Sequence, residues 1–374
     1  MNKAMEKEEQ YIISGIQQVG VGCTDFWASW EWYIKAFQMD VRVLEDDTVA
    51  ERMLPYTGGV SQRRHACIAL NLQGGGGLEI WNYTQRQPVP CAFEVQAGDL
   101  GIFAAKMKSR DAEGLHAQLQ QQLQREAAQG ISWHLGNIYQ APDGAKTFVV
   151  QDPWRNYFYV EERKDVFIER HSLAGGIIGA MVGCSDMERS LPLYRDALGY
   201  DTVVYDREGQ FADLAAMAGG NQRYRRVKLT HSRPRMGAFA PLLGASSIEL
   251  LQPLDRTPRK IYEGRFWGDP GFIQICFDVT NMRALQRALE QKGHPFTVDS
   301  CADGSQFDMG EASGHFAYVE DADGTLIELV EAHKLTLLKK PHLYINMLKR
   351  KRERAFPKAF FRLMALNKVK VPSK

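Results

Sequence analysis

The chain has 374 residues, 44% hydrophobic and 24% charged, a balance that excludes a disordered chain, a collagen-like fibre and a membrane helix bundle. Its length predicts two domains. The formal net charge of +1 conceals an asymmetry, because residues 339–374 hold twelve of the 46 Lys/Arg and one of the 45 Asp/Glu. The preceding body, with 34 basic and 44 acidic residues, is acidic. The opening MNKAMEKEEQ is too charged for a secretory signal. Six dispersed cysteines without CxxC spacing read as reduced, buried thiols of a cytoplasmic protein.

In chain order, residues 1–14 form an N-terminal extension, and then one pattern recurs four times. The openings read GIQQVGVGCTD (15–25), GIFAAKMKSRD (101–111), GGIIGAMVGCSD (175–186) and GFIQICFDVTN (271–281). Each is an apolar run ending in a helix-start signal, and each precedes an amphipathic segment with apolar residues at three- and four-residue spacing. Each unit closes on strand-like material: GGGGLEIWNY (74–83), DPWRNYFYVEE (152–162), ASSIELLQP (245–253) and DADGTLIELVE (321–331). DPWRN and DADGT read as tight turns feeding the last strand. The Gly74–Gly77 run lacks the Lys-Ser/Thr and helix of a phosphate loop and reads as a flexible hairpin loop. Gly101 and Gly271 stand 170 positions apart, as do Glu79 and Glu249. This spacing predicts four β-α-β-β-β modules of an α+β fold, two in 15–164 and two in 175–333. The polar stretch between 164 and 175 would link the halves.

This pattern resembles the vicinal oxygen chelate superfamily, which includes glyoxalase I, bleomycin-resistance proteins and extradiol dioxygenases. The resemblance spans 15–331 and is strongest in GCSDMERSLPLYRDALGY and DADGTLIELVE. It implies two cup-shaped half-barrels, each built from two modules. One residue from each module's first strand and one from its closing strand would point at a divalent metal. Those positions are Gln18 and Glu79 in the first module, Ala104 and Tyr159 in the second, Gly179 and Glu249 in the third, and Gln274 and Glu328 in the fourth. If modules pair in sequence order, the donors divide into Gln18 with Glu79, and Glu249 with Gln274 and Glu328. If the first pairs with the fourth, one cup collects Gln18, Glu79, Gln274 and Glu328, and Glu249 is left alone.

An iron dioxygenase needs two imidazoles and a carboxylate, whereas the C-terminal positions offer Gly179, Gln274 and Glu328. Lyase or isomerase chemistry asks less: a divalent ion (Mg, Mn or Zn) polarises a carbonyl, and Glu328 or Glu79 removes the neighbouring proton. Oxygen donors alone favour the harder ions. His315, close before Glu328, and Arg63 and Arg225, in the loops overhanging the cups, are candidate contacts for an anionic substrate. The expected protein is therefore a cytoplasmic glyoxalase-like lyase or isomerase for a small carbonyl or hydroxy-acid substrate. The alternative is a metal-free small-molecule binder of the same fold. A homodimer is compatible with either.

Residues 339–374 alternate apolar groups with KRKRER and read as a basic amphipathic helical tail. Such a tail would dock on the acidic body, or contact an anionic membrane or acidic partner. No nucleic-acid motif accompanies it.

Overall fold

The computed structural model describes residues 10–304, 307–308, 312–338 and 343–371. The four modules are present. The first runs β1 (Ile12–Gly22), α1 (Phe26–Phe37), β2 (Val41–Ala50), β3 (Gln62–Leu70) and β4 (Gly77–Tyr83). The second runs β5 (Gly101–Ser109), α2 (Ala112–Ala127), two short strands β6 (His134–Leu135) and β7 (Tyr139–Gln140), then β8 (Lys146–Gln151) and β9 (Tyr157–Glu162). The third comprises β10 (Ala174–Gly183), α3 (Met187–Pro192), β11 (Thr202–Gly209), β12 (Tyr224–Thr230), the short α4 (Ala240–Leu243) and β13 (Ser247–Pro253). The fourth comprises β14 (Gly271–Thr280), α5 (Met282–Gln291), β15 (Val298–Asp299), β16 (Phe307–Asp308), β17 (Ala312–Glu320) and β18 (Leu326–Leu338).

Helix starts follow the sequence signals. Asp25, Asp111 and Asp186 accept backbone N–H groups of the first turns of α1, α2 and α3, satisfying donors that a helix leaves unpaired. Asn281 departs from this: it lies in the left-handed region, and Glu331 of β18 accepts the N–H groups of Asn281 and Met282 instead. In both tight turns a buried aspartate, Asp152 or Asp321, collects backbone N–H groups.

In every module the first and last strands pair in parallel. The modules then join through their first strands. β1 pairs antiparallel with β14, giving the sheet order β15-β17-β18-β14-β1-β4-β3-β2, and β10 pairs with β5, giving β11-β12-β13-β10-β5-β9-β8-β6. Module one therefore joins module four, and module two joins module three. Each sheet takes one module from 15–164 and one from 175–333, which is the first-with-fourth arrangement of the two pairings open in the sequence.

Packing between the helices follows the other partition. Tyr33 of α1 donates to Asp152 of module two at 2.7 Å, and Tyr194 of module three donates to Asp321 of module four at 2.8 Å. One continuous apolar core spans both sheets and their helices. Gly74–Gly77 is buried where the sheets meet, not a flexible hairpin loop: the N–H of Gly76 donates to Ile177 and the N–H of Ile177 returns to Gly76. A Cβ on Gly75 would stand 2.7 Å from the backbone of Gly176, so side chains there would force the sheets apart.

The tail is not one amphipathic helix. Residues 339–342 and 372–374 of it lie outside the described residues. The remainder forms β19 (Leu343–Asn346), hydrogen-bonded to β18, and α6 (Lys358–Met364). Phe356 and Phe361 are buried against Val41, Leu70, Leu72, Ala238 and Leu242. Lys368 reaches Asp40 at 2.8 Å. The tail thus docks on the body. Among the described residues no helix is long and apolar enough to cross a membrane.

Candidate active site in the first cup

Gln18, Glu79, Gln274 and Glu328 converge on the concave face of the β1/β14 sheet. Strand alternation alone does not bring the two glutamines there. The β1/β14 ladder carries register shifts between Ile16 and Gln18 and between Val19 and Val21. These bulges turn Gln18 and Gln274 into the cup while Ile16, Val19, Val21, Phe272 and Ile275 stay in the core. Gly20, between them on β1, leaves room for the neighbouring amide: a Cβ there would lie 2.7–2.8 Å from the Gln274 side chain.

The Gln274 Nε2 donates to Glu79 at 2.8 Å and faces Glu328 at 3.4 Å. Gln18 also hydrogen-bonds Glu79. Both amides are buried, at 3% and 1% exposure, while the two carboxylates keep some accessible surface within the cup. Burial and the charge of Glu79 push the Glu328 carboxyl up to about 8. Burial likewise raises Glu79, opposed by the Arg64 guanidinium and the two amides. Two carboxylates sharing one site resist being charged together.

Whether this set fits a cation is answered by its unpaired atoms. The Oε1 atoms of Gln18 and Gln274 are buried and have no hydrogen-bond donor. Buried acceptors without donors are costly. Beside two repelling carboxylates, a positive ion is what would satisfy all four groups. An amide offers nitrogen or oxygen to the same point, so two amides and two carboxylates fit a hard divalent cation such as Mg²⁺ or Mn²⁺ better than Zn²⁺.

Around this centre, Tyr318 and Cys276 hydrogen-bond Glu328. Met53, Trp81, Trp267, Ile273 and Tyr318 form an apolar layer. Residues 51–60 lie over it, held by the Tyr56 hydroxyl on Glu320 (2.5 Å) and the Trp267 N–H on the Tyr56 carbonyl (3.0 Å).

The second cup has another interior. Its equivalents of Gln18, Gln274 and Glu328 are Gly179, Ala104 and Tyr159, and Glu249 stands alone. Glu249 does not join the other four: Lys106 (2.8 Å), Arg226 (2.6 Å) and the Tyr205 hydroxyl occupy its oxygens and hold its carboxyl far below the usual range. Lys106 and Lys228 also bind Glu161, and Arg226 binds Asp213. Three buried cations thus face three buried anions, so each of these carboxylates already has its charge matched.

The remaining candidates fall elsewhere. His315 pairs with Glu331 across β17 and β18, whereas Glu328 pairs with Tyr318. Alternation therefore puts the buried His315 on the opposite face from the cup, where its Nε2 meets Asp299 at 2.5 Å. Arg63 points outward to Asp47 at 3.0 Å, and Arg225 outward to Asp206 and Glu188. The arginine facing the first cup is Arg64, 7% exposed, 2.5 Å from Asp46 and stacked over Trp81 at 4.9 Å. Hairpin register carries that signal, since Ile68 opposes Glu79 and Arg64 lies four residues earlier on the same face. Tyr318, directly opposite Glu328, was legible in the same way.

Paired βαβββ modules whose first and last strands supply inward oxygen donors define a half-barrel chelate fold. Residues 176–329 match the family model of the glyoxalase/bleomycin resistance protein/dioxygenase superfamily. A glyoxalase I mutant from Zea mays superposes with a TM-score of 0.53 at 13% identity, covering 87% of this chain and 96% of that one. A putative dioxygenase from Bacillus subtilis superposes with a TM-score of 0.53 at 11% identity, covering 86% of each chain. Among curated proteins none matches the sequence. By sequence, residues 176–329 belong to this superfamily, the vicinal oxygen chelate proteins, and the chain as a whole shares the fold of these two structures.

Proposed function

We propose that the first cup is a divalent-metal site for glyoxalase-like lyase or isomerase chemistry on a small carbonyl or hydroxy-acid substrate. The observation that carries this reading is the pair of donorless amide oxygens beside two repelling carboxylates. Gln18, Glu79, Gln274 and Glu328 would hold the cation. Once bound, it would supply polarisation of a substrate carbonyl or adjacent hydroxyl.

The chain's own residues do the rest. Glu328, kept basic by its buried surroundings, takes the proton from the carbon next to the carbonyl and returns it to the neighbouring position. Tyr318 and Cys276 orient it. The apolar layer of Met53, Trp81 and Trp267 excludes bulk water, and residues 51–60 cover it. Arg64 attracts a substrate carboxylate at the rim.

The test measures metal content after purification and after Mg²⁺ or Mn²⁺ loading, together with proton exchange at carbon for small hydroxy-carbonyl compounds in heavy water. One equivalent of metal, lost in Glu79→Gln and Glu328→Gln, and metal-dependent exchange support the reading. A folded chain that takes up no divalent ion overturns it. That outcome would favour the metal-free small-molecule binder, for which the apolar layer is the supporting observation. Contact of the tail with an anionic membrane or acidic partner would rest on the exposed Leu363 and Leu366 and their neighbouring cations, since Phe356 and Phe361 are already buried.

A further inference from the structure

On the other face of the same sheet lies a second group of chemistry-bearing side chains that the cup does not use. Asp299 ends β15, Cys301 stands in the turn after it, and His315 projects from β17 on the helix side. A ligand atom from each lies within 4.8 Å of the other two. His315 and Cys301 are buried, at 4% and 7% exposure, and residues 302–304 beside them are exposed, so an ion from solvent has a short way in.

From these three residues we infer a second metal site, formed by Asp299 Oδ1, Cys301 Sγ and a His315 ring nitrogen, for a borderline divalent cation of the zinc class. One thiolate, one imidazole and one carboxylate are the ligand types zinc prefers, and three protein ligands leave a fourth position to water. Bonds of about 2.0–2.3 Å in a tetrahedron separate ligand atoms by roughly 3.3–3.8 Å, a spacing that lies inside the observed 4.8 Å limit. The His315 to Asp299 contact of 2.5 Å would widen as the cation replaced the shared proton.

Supporting contacts fix the carboxylate. Arg283 of α5 binds Asp299 Oδ2 at 3.1 Å and the Cys301 carbonyl at 3.1 Å, leaving Oδ1 to face His315. The Cys301 N–H also donates to Oδ1 at 2.9 Å. Phe296 packs edge-on against the imidazole. Bound metal would tie the turn after β15 to β17 and so brace the strand that carries Tyr318 into the cup. The two sites differ in chemistry: the cup offers oxygen donors, the outer face sulfur, nitrogen and oxygen.

Cobalt distinguishes them. Reduced, metal-free full-length protein is titrated with Co²⁺ and followed in the near ultraviolet for the thiolate-to-cobalt charge-transfer band, with circular dichroism confirming the fold of each variant. The expected result is a band saturating at one equivalent and displaced by Zn²⁺. It should be absent in Cys301→Ser and need at least about tenfold more Co²⁺ in His315→Gln. It should persist in Glu79→Gln and Glu328→Gln, so failure of the cup reading and failure of this one are separable. Cys276 is the thiol that hydrogen-bonds Glu328 in the cup, and Cys276→Ser should keep the band. No band in the folded wild type at saturating Co²⁺, a band surviving Cys301→Ser, or loss in Cys276→Ser would each overturn the proposal.

Discussion

At Glu328 burial and the charge of Glu79 push in the same direction, and the consequence is a stability that depends on pH with a definite sign. Its folded-state pKa, about 8, lies above the ordinary 4.5. The native state therefore binds more protons than the unfolded chain across that window, and stability should fall as pH rises from about 4.5 to 8, by up to about 1.4 kcal/mol per pH unit. Urea melts of metal-free protein at pH 5 and pH 8 would measure this. Glu328→Gln should lessen the slope without abolishing it, because burial also raises Asp152 to about 6 and Asp278 to about 7, and saturating Mn²⁺ at pH 8 should restore stability by mass action. Glu249 answers oppositely. Its charge is matched by Lys106 and Arg226, so Glu249→Gln strands buried cations and should cost about 3–5 kcal/mol without changing bound metal. Equal metal loss in Glu249→Gln and Glu79→Gln, with both variants folded, would contradict the division between the cups. The distinction was only half legible in the sequence. Both glutamates occupy the same strand context, IEL or LEI; of the residues that separate them, Arg226 stands on the neighbouring strand β12 and was within reach of hairpin register, whereas Lys106 comes from β5, 143 residues away.

Elements were legible where their signals are local. Asp25, Asp111 and Asp186 sit at helix starts and cap them, and the apolar periodicity after each places the buried face. The α5 start was misleading, because its cap comes from Glu331, fifty residues on. The bulges that aim Gln18 and Gln274 carry no local signature either: they arise from pairing β1 with β14, more than 250 residues apart. The tail's mixture of apolar and basic residues suits a helix locally, but the partners of its apolar side chains lie on the body, far away in the chain. Its strand β19 forms because β18 runs on to Leu338 and offers an edge. Phe361, fully buried beneath Phe167 and Phe239, should anchor the helix that follows. Phe361→Ala should lower stability by about 3–5 kcal/mol in urea unfolding. A change under about 1 kcal/mol would mean that the tail lies on the body without contributing to the core.

For the whole molecule, the exchange of modules between sheets makes the two halves of the chain interdependent. β1 and β14 occupy the middle of one sheet, β5 and β10 the middle of the other. Cutting between 164 and 174 therefore severs no sheet, yet a fragment ending at 164 would hold β1 and β5 as bare edges of two unfinished half-sheets. Unpaired edges of that length invite aggregation, and half of the apolar core would be lost with the missing modules. Residues 1–164 expressed alone should be insoluble, and so should 165–374. Expressed together they should associate, because the pairing of β1 with β14 and β5 with β10 needs no continuous link, and the segment between is pinned to the body by Phe167 on Gln73 and Arg170 on Asp40. Sequential pairing makes the reverse prediction, two independently soluble halves. The donor set follows the same geometry. Gln18 and Glu79 come from one fragment, Gln274 and Glu328 from the other, so the metal proposed for the first cup should bind the co-expressed pair at one equivalent and neither fragment alone. Metal bound by an isolated, folded fragment would show that the cup does not need both.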